Sequence, residues 1–335
     1  MTNKINDVKY LGCREHKIKT AKPILNDENF HHLYTWICDR YKIHVLKDVY
    51  KQKAPWTDNP ILKEFRFTNV RREHDKETKW AINNLCSITK NQMSWASKIC
   101  NLILFRMFNK SETCKHFMPI NFDEGVDWNT ISNYFENVPK GYVFFTNAFI
   151  TGGLKMSCCR ELGYTSNYKD PIKGLKPEYA VIRFVEKLYE NKKIANLENC
   201  VTAQEFVEAL KNIPSLGFFL SYQIFVDYTY CQESLWSENE FVVAGPGCRR
   251  GLDLVFEDRG GMTYEECLFW LRDNWTTICS FYGLEWNPDE IFVDLPKEDR
   301  YMNVMSLQNC HCEISKYIRT VNGTGRPRNK YNGGK

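Results

Sequence analysis

The 335-residue sequence lacks several features that define common protein classes. It contains no run of about 18 consecutive apolar residues, the length that a membrane-spanning helix needs. Its first ten residues are polar and have no apolar core of the kind found in secretory signals. It has no C-x-x-C spacing, although it contains 14 cysteines. We therefore expect a chain that is not exported and that keeps its thiols reduced.

Short motifs that identify common enzymes are also missing from the sequence. We find no G-x-x-x-x-G-K-[ST] phosphate loop, no H-E-x-x-H, no G-x-S-x-G and no deaminase zinc signature. Two spacings are metal-like, Cys13 with His16 and the run Cys310–Cys312. Neither of them supplies the four ligands of a structural zinc site. We therefore expect no metal site and no other cofactor.

The net charge is small, and the excess of positive charge lies at the C-terminal end of the sequence. The formal charge is +4, and residues 322–335 hold Arg326, Arg328, Lys330 and Lys335 without an acid. Within them, Gly-Arg-Pro-Arg at 325–328 resembles the core of an AT-hook, an extended basic string that fits the minor groove of DNA. A basic tail on a neutral body favours contact with a polyanion, and a solvated chain end is the alternative.

Helical periodicity dominates the rest of the chain. Apolar residues recur at helical spacing from Glu28 to Tyr50 and again from Asn91 to Phe108. Thr202 with Glu205 and Thr263 with Glu266 each form a capping box that predicts the start of a helix. Strand signals are confined to 142–145 and 241–244. We predict a mainly α fold with an N-terminal extension (1–27), a helical body of one lobe or two packed lobes (28–321) and a basic flexible tail (322–335).

A glycine- and arginine-rich segment, 245–251, follows an apolar helix. Gly245 and Gly247 would let backbone N–H groups approach a phosphate without interference from a Cβ, and Arg249 and Arg250 would add charged hydrogen bonds. This pattern predicts a helix-hairpin-helix clamp on the DNA backbone. The alternative is a helix end followed by a simple turn.

Asp227 is the acid in the most apolar surroundings, because nine of the 13 residues at 218–230 are apolar or aromatic. A carboxylate in such a place is costly unless it is paired or hydrogen-bonded. Gln223 lies one helical turn earlier and shares its face. Asp227 is therefore either a structural acid paired with an arginine or a catalytic group with a perturbed pKa.

Two further segments mix aromatic, amide and charged side chains. The first, Phe65–Trp80, contains a set that suits stacking on a base and reading its edge: Phe67, Asn69, Arg71, Arg72 and Asp75. Its alternative interpretation is an amphipathic segment with solvated pairs such as Arg71 with Asp75. The second places Arg106 and Asn109 at the end of an apolar helix. A buried Arg106 needs a carboxylate partner, which Asp227 or Asp75 would supply.

These motifs occur together, in order, in one known family. Residues 67–75, 105–109, Asp227 before 244–247, 310–313 and 325–328 resemble the DNA base hypermodification family. That family includes the helical domain of phage 5-hydroxymethyluracil DNA kinases and the amino-acid:DNA transferases. The resemblance covers roughly residues 28–330. It implies a helical fold similar to helix-hairpin-helix DNA glycosylases, without the phosphate-loop half of the kinases.

The resemblance implies a function on double-stranded DNA that contains modified pyrimidines. Our first hypothesis is a glycosylase that flips out and excises a hydroxymethylated or glucosylated base in phage defence. Asp227 would be catalytic, and the base pocket would hold Phe67, Asn69, Arg71, Arg72, Asp75, Arg106, Asn109 and Gln223. DNA would be held by Gly245, Gly247, Arg249, Arg250, Arg326, Arg328 and Lys330.

Two alternatives remain open. One is an amino-acid or polyamine transferase acting on 5-hydroxymethylpyrimidine DNA, and the other is a non-catalytic protein that binds modified DNA. In each case we expect a monomer with no membrane contact, in the cytoplasm of a bacterial or phage-infected cell.

Overall fold

The computed structural model describes residues 18, 20–146, 158, 161–162, 176–327 and 330–331. Within them the fold is mainly α-helical, which confirms the predicted fold class. The helices in chain order are α1 (Asp27–His44), α2 (Pro60–Glu64), α3 (Lys76–Ala81), α4 (Trp95–Phe108), α5 (Ser111–Cys114), α6 (Trp128–Asn137), α7 (Pro177–Glu190), α8 (Ala203–Lys211), α9 (Phe218–Tyr228), α10 (Pro246–Val255), α11 (Tyr264–Phe281), α12 (Pro288–Ile291) and α13 (Val304–Val321).

Shorter elements complete the described chain. Single π-helical turns extend α1 and α3 at Val45–Val49 and Ile82–Cys86. Short 3₁₀ segments lie at Arg72–His74, Ala195–Asn199 and Lys297–Asp299. Strands β1 (Ile24–Leu25) and β2 (Phe256–Asp258) pair antiparallel. No helix in the described segments has both the length and the apolar character needed to span a membrane.

The chain divides into two compact units. The first unit combines both ends of the chain, Met1–His74 and Phe241–Lys335, and the second unit is the continuous segment Asp75–Glu240. The predicted body of residues 28–321 is therefore distributed over both units.

The first unit is built around α1, α10 and α13. Asn26 begins α1 by accepting a hydrogen bond from the backbone N–H of Asn29, and the predicted apolar face buries Phe30, Leu33 and Ile37. The close approach of α10 to α13 depends on Gly251, where a Cβ would lie 2.0 Å from the carbonyl oxygen of His311. Glycine is required there because any larger residue would force the two helices apart.

The second unit is built around α4, whose apolar residues are buried on every side, as predicted for a core helix. The helix ends at Asn109, whose left-handed backbone (φ 45°) makes it a C-terminal cap. In this unit the capping box of Thr202 and Glu205 begins α8 as predicted, and the matching box of Thr263 and Glu266 begins α11 in the first unit.

Neither predicted strand is present, because both segments run in an irregular path. At 142–145 side chains replace strand hydrogen bonds: Thr113 donates to the carbonyl of Phe144 at 2.9 Å, and Phe145 stacks on Phe108. At 241–244 the backbone N–H of Ala244 donates to Glu265 at 3.0 Å. Both segments pack on helices rather than on a neighbouring strand, so the strand predictions were wrong.

Candidate functional site

A buried cluster centred on Arg106 and Asp227 lies inside the second unit. Arg106 donates from Nε to Oδ2 of Asp227 at 2.5 Å and from a terminal nitrogen to Oδ1. Its remaining donors reach Oδ1 of Asn109 at 2.7 Å and the hydroxyl of Thr78 at 3.1 Å. Of the two partners that the sequence offered for Arg106, the structure selects Asp227. Four side chains on α3, α4 and α9 thus share one hydrogen-bond network.

The Arg106–Asp227 pair is shielded from solvent, with side chains 2% and 0% exposed. Burial by itself would lower the pKa of Arg106, but the charge of Asp227 and its hydrogen bonds raise that pKa above its usual value. The guanidinium is therefore firmly charged and occupies both carboxylate oxygens. This geometry fits the structural alternative for Asp227 and leaves neither oxygen facing a substrate.

The predicted base-pocket residues divide between the two units. In the first unit, Asn69 accepts a hydrogen bond from Arg40 at 2.7 Å and donates to the carbonyl of His74 at 2.8 Å. The side chain of Asn309, on α13, donates to the carbonyl of Asn69 at 2.7 Å. Asn69 is thus used to hold its own segment between α1 and α13.

The neighbours of Asn69 are also engaged within the first unit. Arg71 donates to Glu73 at 2.7 Å and to the carbonyl of Tyr301 at 3.0 Å. Phe67 is buried with its ring edge-on to Trp36. The remaining predicted residues are Arg72, half-buried in the first unit, and, in the second unit, Asp75 at the start of α3 and Gln223, buried on α9.

The glycine- and arginine-rich segment is the beginning of a helix rather than a hairpin. Gly245 is the N-cap of α10, and Gly247, Arg249 and Arg250 lie in its first two turns. Arg249 donates back to the carbonyl of Ala244 at 2.7 Å, and Arg250 is exposed. The local hairpin prediction was wrong because residues 246–255 form one helix, and the glycine that permits its close approach to α13 is Gly251.

The basic tail is partly docked on the first unit. Arg326 is exposed, whereas Lys330 pairs with Glu64 at 2.6 Å. The backbone N–H of Tyr331 donates to the carbonyl of Glu64 at 3.0 Å. Arg328 lies outside the described residues. Arg326 and Lys330 are thus both exposed, and Lys330 already has an acidic partner in Glu64.

The run Cys310–Cys312 does not converge on one point. Successive residues of a helix point about 100° apart, and His311 Nδ1 lies 2.7 Å from the carbonyl oxygen of Leu307. The other metal-like spacing, at 13–16, lies outside the described residues. No disulfide joins any of the cysteines that the structure describes.

Sequence reasoning missed a carboxylate–imidazole cluster in the first unit, formed by His44, His74 and Asp294. Oδ2 of Asp294 lies 3.1 Å from His44 Nε2 and 3.5 Å from His74 Nε2. The two imidazole rings stack with centroids 3.9 Å apart. Tyr41 donates to Oδ1 of Asp294 at 2.6 Å, and Asp48 Oδ2 lies 3.2 Å from His44 Nδ1.

The electrostatics of this cluster are strongly coupled. Burial would raise the pKa of Asp294, but hydrogen bonds from His44 and Tyr41 hold that pKa well below its usual value. Burial would likewise lower the pKa of His44, but hydrogen bonds to Asp294 and Asp48 raise it above its usual value. The i,i+4 spacing of His44 and Asp48 was the available sequence signal, whereas Asp294 is more than 200 residues away in the chain.

A surface cavity of about 520 Å³ in the second unit is a further feature that the sequence did not indicate. It is lined by His116, Thr130, Asn133, Tyr134, Asn137, Val138, Pro139 and Tyr142. His116 and Tyr134 stack with centroids 4.3 Å apart. None of the predicted base-pocket residues is among the described residues that line it.

The described residues define a mainly α-helical protein of two compact units, which contain the buried Arg106–Asp227 ion pair and the partly exposed carboxylate–imidazole cluster. The family model described as "5-hmdU DNA kinase, helical domain" matches residues 27–326. The chain therefore belongs to the family of these helical domains. This match confirms the resemblance seen in the sequence.

A curated relative is a protein named 5-hmdU DNA kinase from Bacillus phage SP10. The two are 25% identical over 324 residues, which is 93% of this chain and 48% of the relative. The chain thus spans about half the length of that kinase. No solved structure matches the chain.

Proposed function

We propose that this chain is a transferase-class enzyme that acts on 5-hydroxymethylpyrimidine bases in double-stranded DNA. The observation that carries the proposal is the family match over residues 27–326. A relative named as a 5-hmdU DNA kinase supports the hydroxymethylated base as the target. Of the hypotheses raised by the sequence, the transferase is the one that these relatives favour.

The chemistry of the target suggests which step this chain performs. A kinase that acts on the 5-hydroxymethyl group leaves a phosphate ester on the methylene oxygen. An amine can displace that phosphate: a C–N bond forms, the C–O bond breaks, phosphate leaves and the amine loses a proton. The sequence contains no phosphate-loop motif for binding ATP, so we assign the chain to this displacement, with an amino acid or a polyamine as the amine.

We place the reacting groups at the carboxylate–imidazole cluster. It combines partial exposure with opposed pKa shifts on adjacent groups, which is typical of functional sites. The glycosylase hypothesis depended on Asp227, and the geometry gives it little support because Arg106 occupies both oxygens. We assign Asp227 a structural role, and we assign DNA phosphate contacts to the exposed Arg250 and Arg326.

The test is mass spectrometry of nucleosides and free bases after incubation with defined DNA. The DNAs contain thymine, 5-hydroxymethyluracil, 5-hydroxymethylcytosine or phosphorylated 5-hydroxymethyluracil. Each DNA is incubated separately without a co-substrate, with ATP, with amino acids and with putrescine. We expect a nucleoside in which the amine has replaced the phosphate, identified by its mass, only on the phosphorylated DNA with an amine present. Asp294→Asn should abolish this product, whereas Asp58→Asn, a matched change on an exposed surface carboxylate, should retain it.

The other outcomes contradict the proposal in distinct ways. A mass gain on 5-hydroxymethyluracil with ATP alone would identify a kinase, and a released base would identify a glycosylase. No change on any DNA, with the protein shown to be folded, would leave the non-catalytic DNA-binding hypothesis.

A further inference from the structure

The geometry points to a divalent metal site that the sequence did not predict. We propose that His44 Nε2, His74 Nε2 and Asp294 Oδ2 bind one first-row transition-metal ion. This proposal concerns metal binding, which does not depend on the proposed function. Only the role of the ion in the reaction rests on the proposed function.

The spacing of the three atoms fits a shared ion. Bonds of about 2.1 Å to imidazole nitrogen and carboxylate oxygen place neighbouring ligand atoms about 3.0–3.4 Å apart at the angles of tetrahedral or octahedral sites. The observed separations from Asp294 Oδ2 are 3.1 Å to His44 and 3.5 Å to His74. All three atoms lie within 4.8 Å of one another. The three atoms are therefore close enough to share an ion, and because the two rings stack at an interplanar angle of 15°, the rings must rotate to direct both lone pairs at it.

Hydrogen bonds from neighbouring residues orient two of the three proposed ligands, His44 and Asp294. Asp48 lies against Nδ1 of His44, so the proton of a neutral His44 belongs on Nδ1 and the lone pair of Nε2 points at Asp294. Tyr41 donates to Oδ1 of Asp294 and leaves Oδ2 for the ion. Carboxylate–histidine–metal arrangements with such outer partners are common in metalloproteins.

A cation at this point would accept the Nε2 lone pairs of both histidines and the carboxylate charge of Asp294 at once. It would replace the direct contacts of 3.1 Å and 3.5 Å between these groups.

The ligand set also indicates the kind of ion. Two imidazoles favour zinc, copper, iron or nickel over magnesium or calcium, which prefer oxygen ligands. Three protein ligands leave at least one coordination position open, as in catalytic rather than structural sites. In the proposed reaction, an oxygen of the departing phosphate would take that position.

The test uses the full chain, stripped with a chelator and folded as judged by circular dichroism, without DNA. Zn²⁺, Co²⁺ and Mg²⁺ are titrated by calorimetry, and bound metal is counted by mass spectrometry. We expect one tightly bound Zn²⁺ or Co²⁺ per chain and no comparable binding of Mg²⁺. The chain contains 14 cysteines, so binding at the cluster must be distinguished from binding by thiolates. For binding at the cluster, the Co²⁺ absorption spectrum should lack a thiolate charge-transfer band.

Variants then locate the ion. His74→Gln and Asp294→Asn should remove the tight site, and Tyr41→Phe and Asp48→Asn should weaken affinity by about 10–100-fold. His31→Gln, on an exposed part of the same helix as His44, is the matched control and should bind as the wild type does. The four cluster variants should keep the wild-type circular dichroism spectrum. If one of them does not fold, the wild-type Co²⁺ spectrum decides by showing nitrogen and oxygen ligands or sulfur.

Tight binding that persists in Asp294→Asn, a thiolate band, or no binding by the wild type would overturn the site. In any of these cases, base modification by the same preparation would leave the proposed function intact. Conversely, metal bound at the cluster without any base modification would keep the site and reject the function.

Discussion

Arg106 and Asp227 form a doubly hydrogen-bonded ion pair that solvent does not reach. The pair joins α4 to α9 across 121 positions of the chain, and Asn109 and Thr78 complete the hydrogen bonds of the guanidinium. An acidic residue in apolar surroundings can be interpreted as catalytic, but the group that it pairs with determines whether its oxygens are available to a substrate. Here the partner is a buried arginine that uses both oxygens.

We predict that Asp227→Asn lowers the free energy of unfolding by about 3–5 kcal/mol, because it leaves the buried charge of Arg106 without its counter-ion. Urea unfolding at neutral pH measures this change. Glu112→Gln is the control, since it breaks an exposed pair with Lys76 whose side chains are more than half exposed, and such pairs contribute less than about 1 kcal/mol. A small effect of Asp227→Asn on stability, together with loss of activity, would restore the catalytic hypothesis.

A second prediction concerns two glycines on α10. Gly251→Ala should destabilise the protein by at least about 3 kcal/mol, because its Cβ would lie 2.0 Å from the backbone carbonyl oxygen of His311. Gly247→Ala should change stability by less than about 1 kcal/mol or increase it, because its nearest neighbour, Cys312 Sγ, lies 3.4 Å away and alanine favours a helix. Thermal unfolding compares them, and equal effects would show that α10 and α13 pack more loosely than described.

A third prediction concerns acid stability. Burial lowers the pKa of His311 to about 4, whereas the same side chain in the unfolded chain has a pKa of about 6.5. Between these values the unfolded state binds the additional proton, so stability falls as the pH decreases. From pH 7 to pH 5 this residue should cost about 2 kcal/mol.

Urea unfolding of the wild type and of His311→Gln at both pH values isolates that contribution. The variant should lose about 2 kcal/mol less than the wild type on acidification, because all other titrating groups are common to both proteins. Parallel losses in the two proteins would contradict a buried neutral His311.

A fourth prediction separates the cations proposed to contact DNA. Arg250→Gln and Arg326→Gln should each weaken binding to duplex DNA and reduce the slope of log affinity against log salt by about 1. Lys330→Gln should change the slope less, because Lys330 already pairs with Glu64. Fluorescence anisotropy across a salt series measures all three. An unchanged slope for Arg250→Gln would remove α10 from the DNA-binding surface.

Local sequence patterns predicted the helices well. The capping boxes of Thr202 with Glu205 and Thr263 with Glu266 both begin helices, and α1 and α4 bury most of the residues that helical spacing selected, with Tyr34 and Ala96 half-buried. These signals depend on hydrogen bonds within about four residues and on which side of one helix is apolar. Both signals depend on residues that are close together in the sequence and are independent of distant parts of the chain.

The same local patterns did not distinguish packing from function at 245–251. Glycines that admit a phosphate and glycines that admit a neighbouring helix look alike in sequence, because both remove a Cβ. The structure shows that Gly251 serves the second purpose, against His311. The strand predicted at 142–145 failed for a related reason, since its backbone partners are side chains from elsewhere in the chain.

The sequence by itself determined the helical class, the caps, the family resemblance and the pairing options of Arg106. Only the tertiary structure decided that Asp227 is the partner of Arg106 and that Asp294 meets His44 and His74. The physical reason is distance along the chain. Helix formation is a local equilibrium, whereas a cluster of charged side chains depends on how segments 121 or 250 residues apart in the chain pack together.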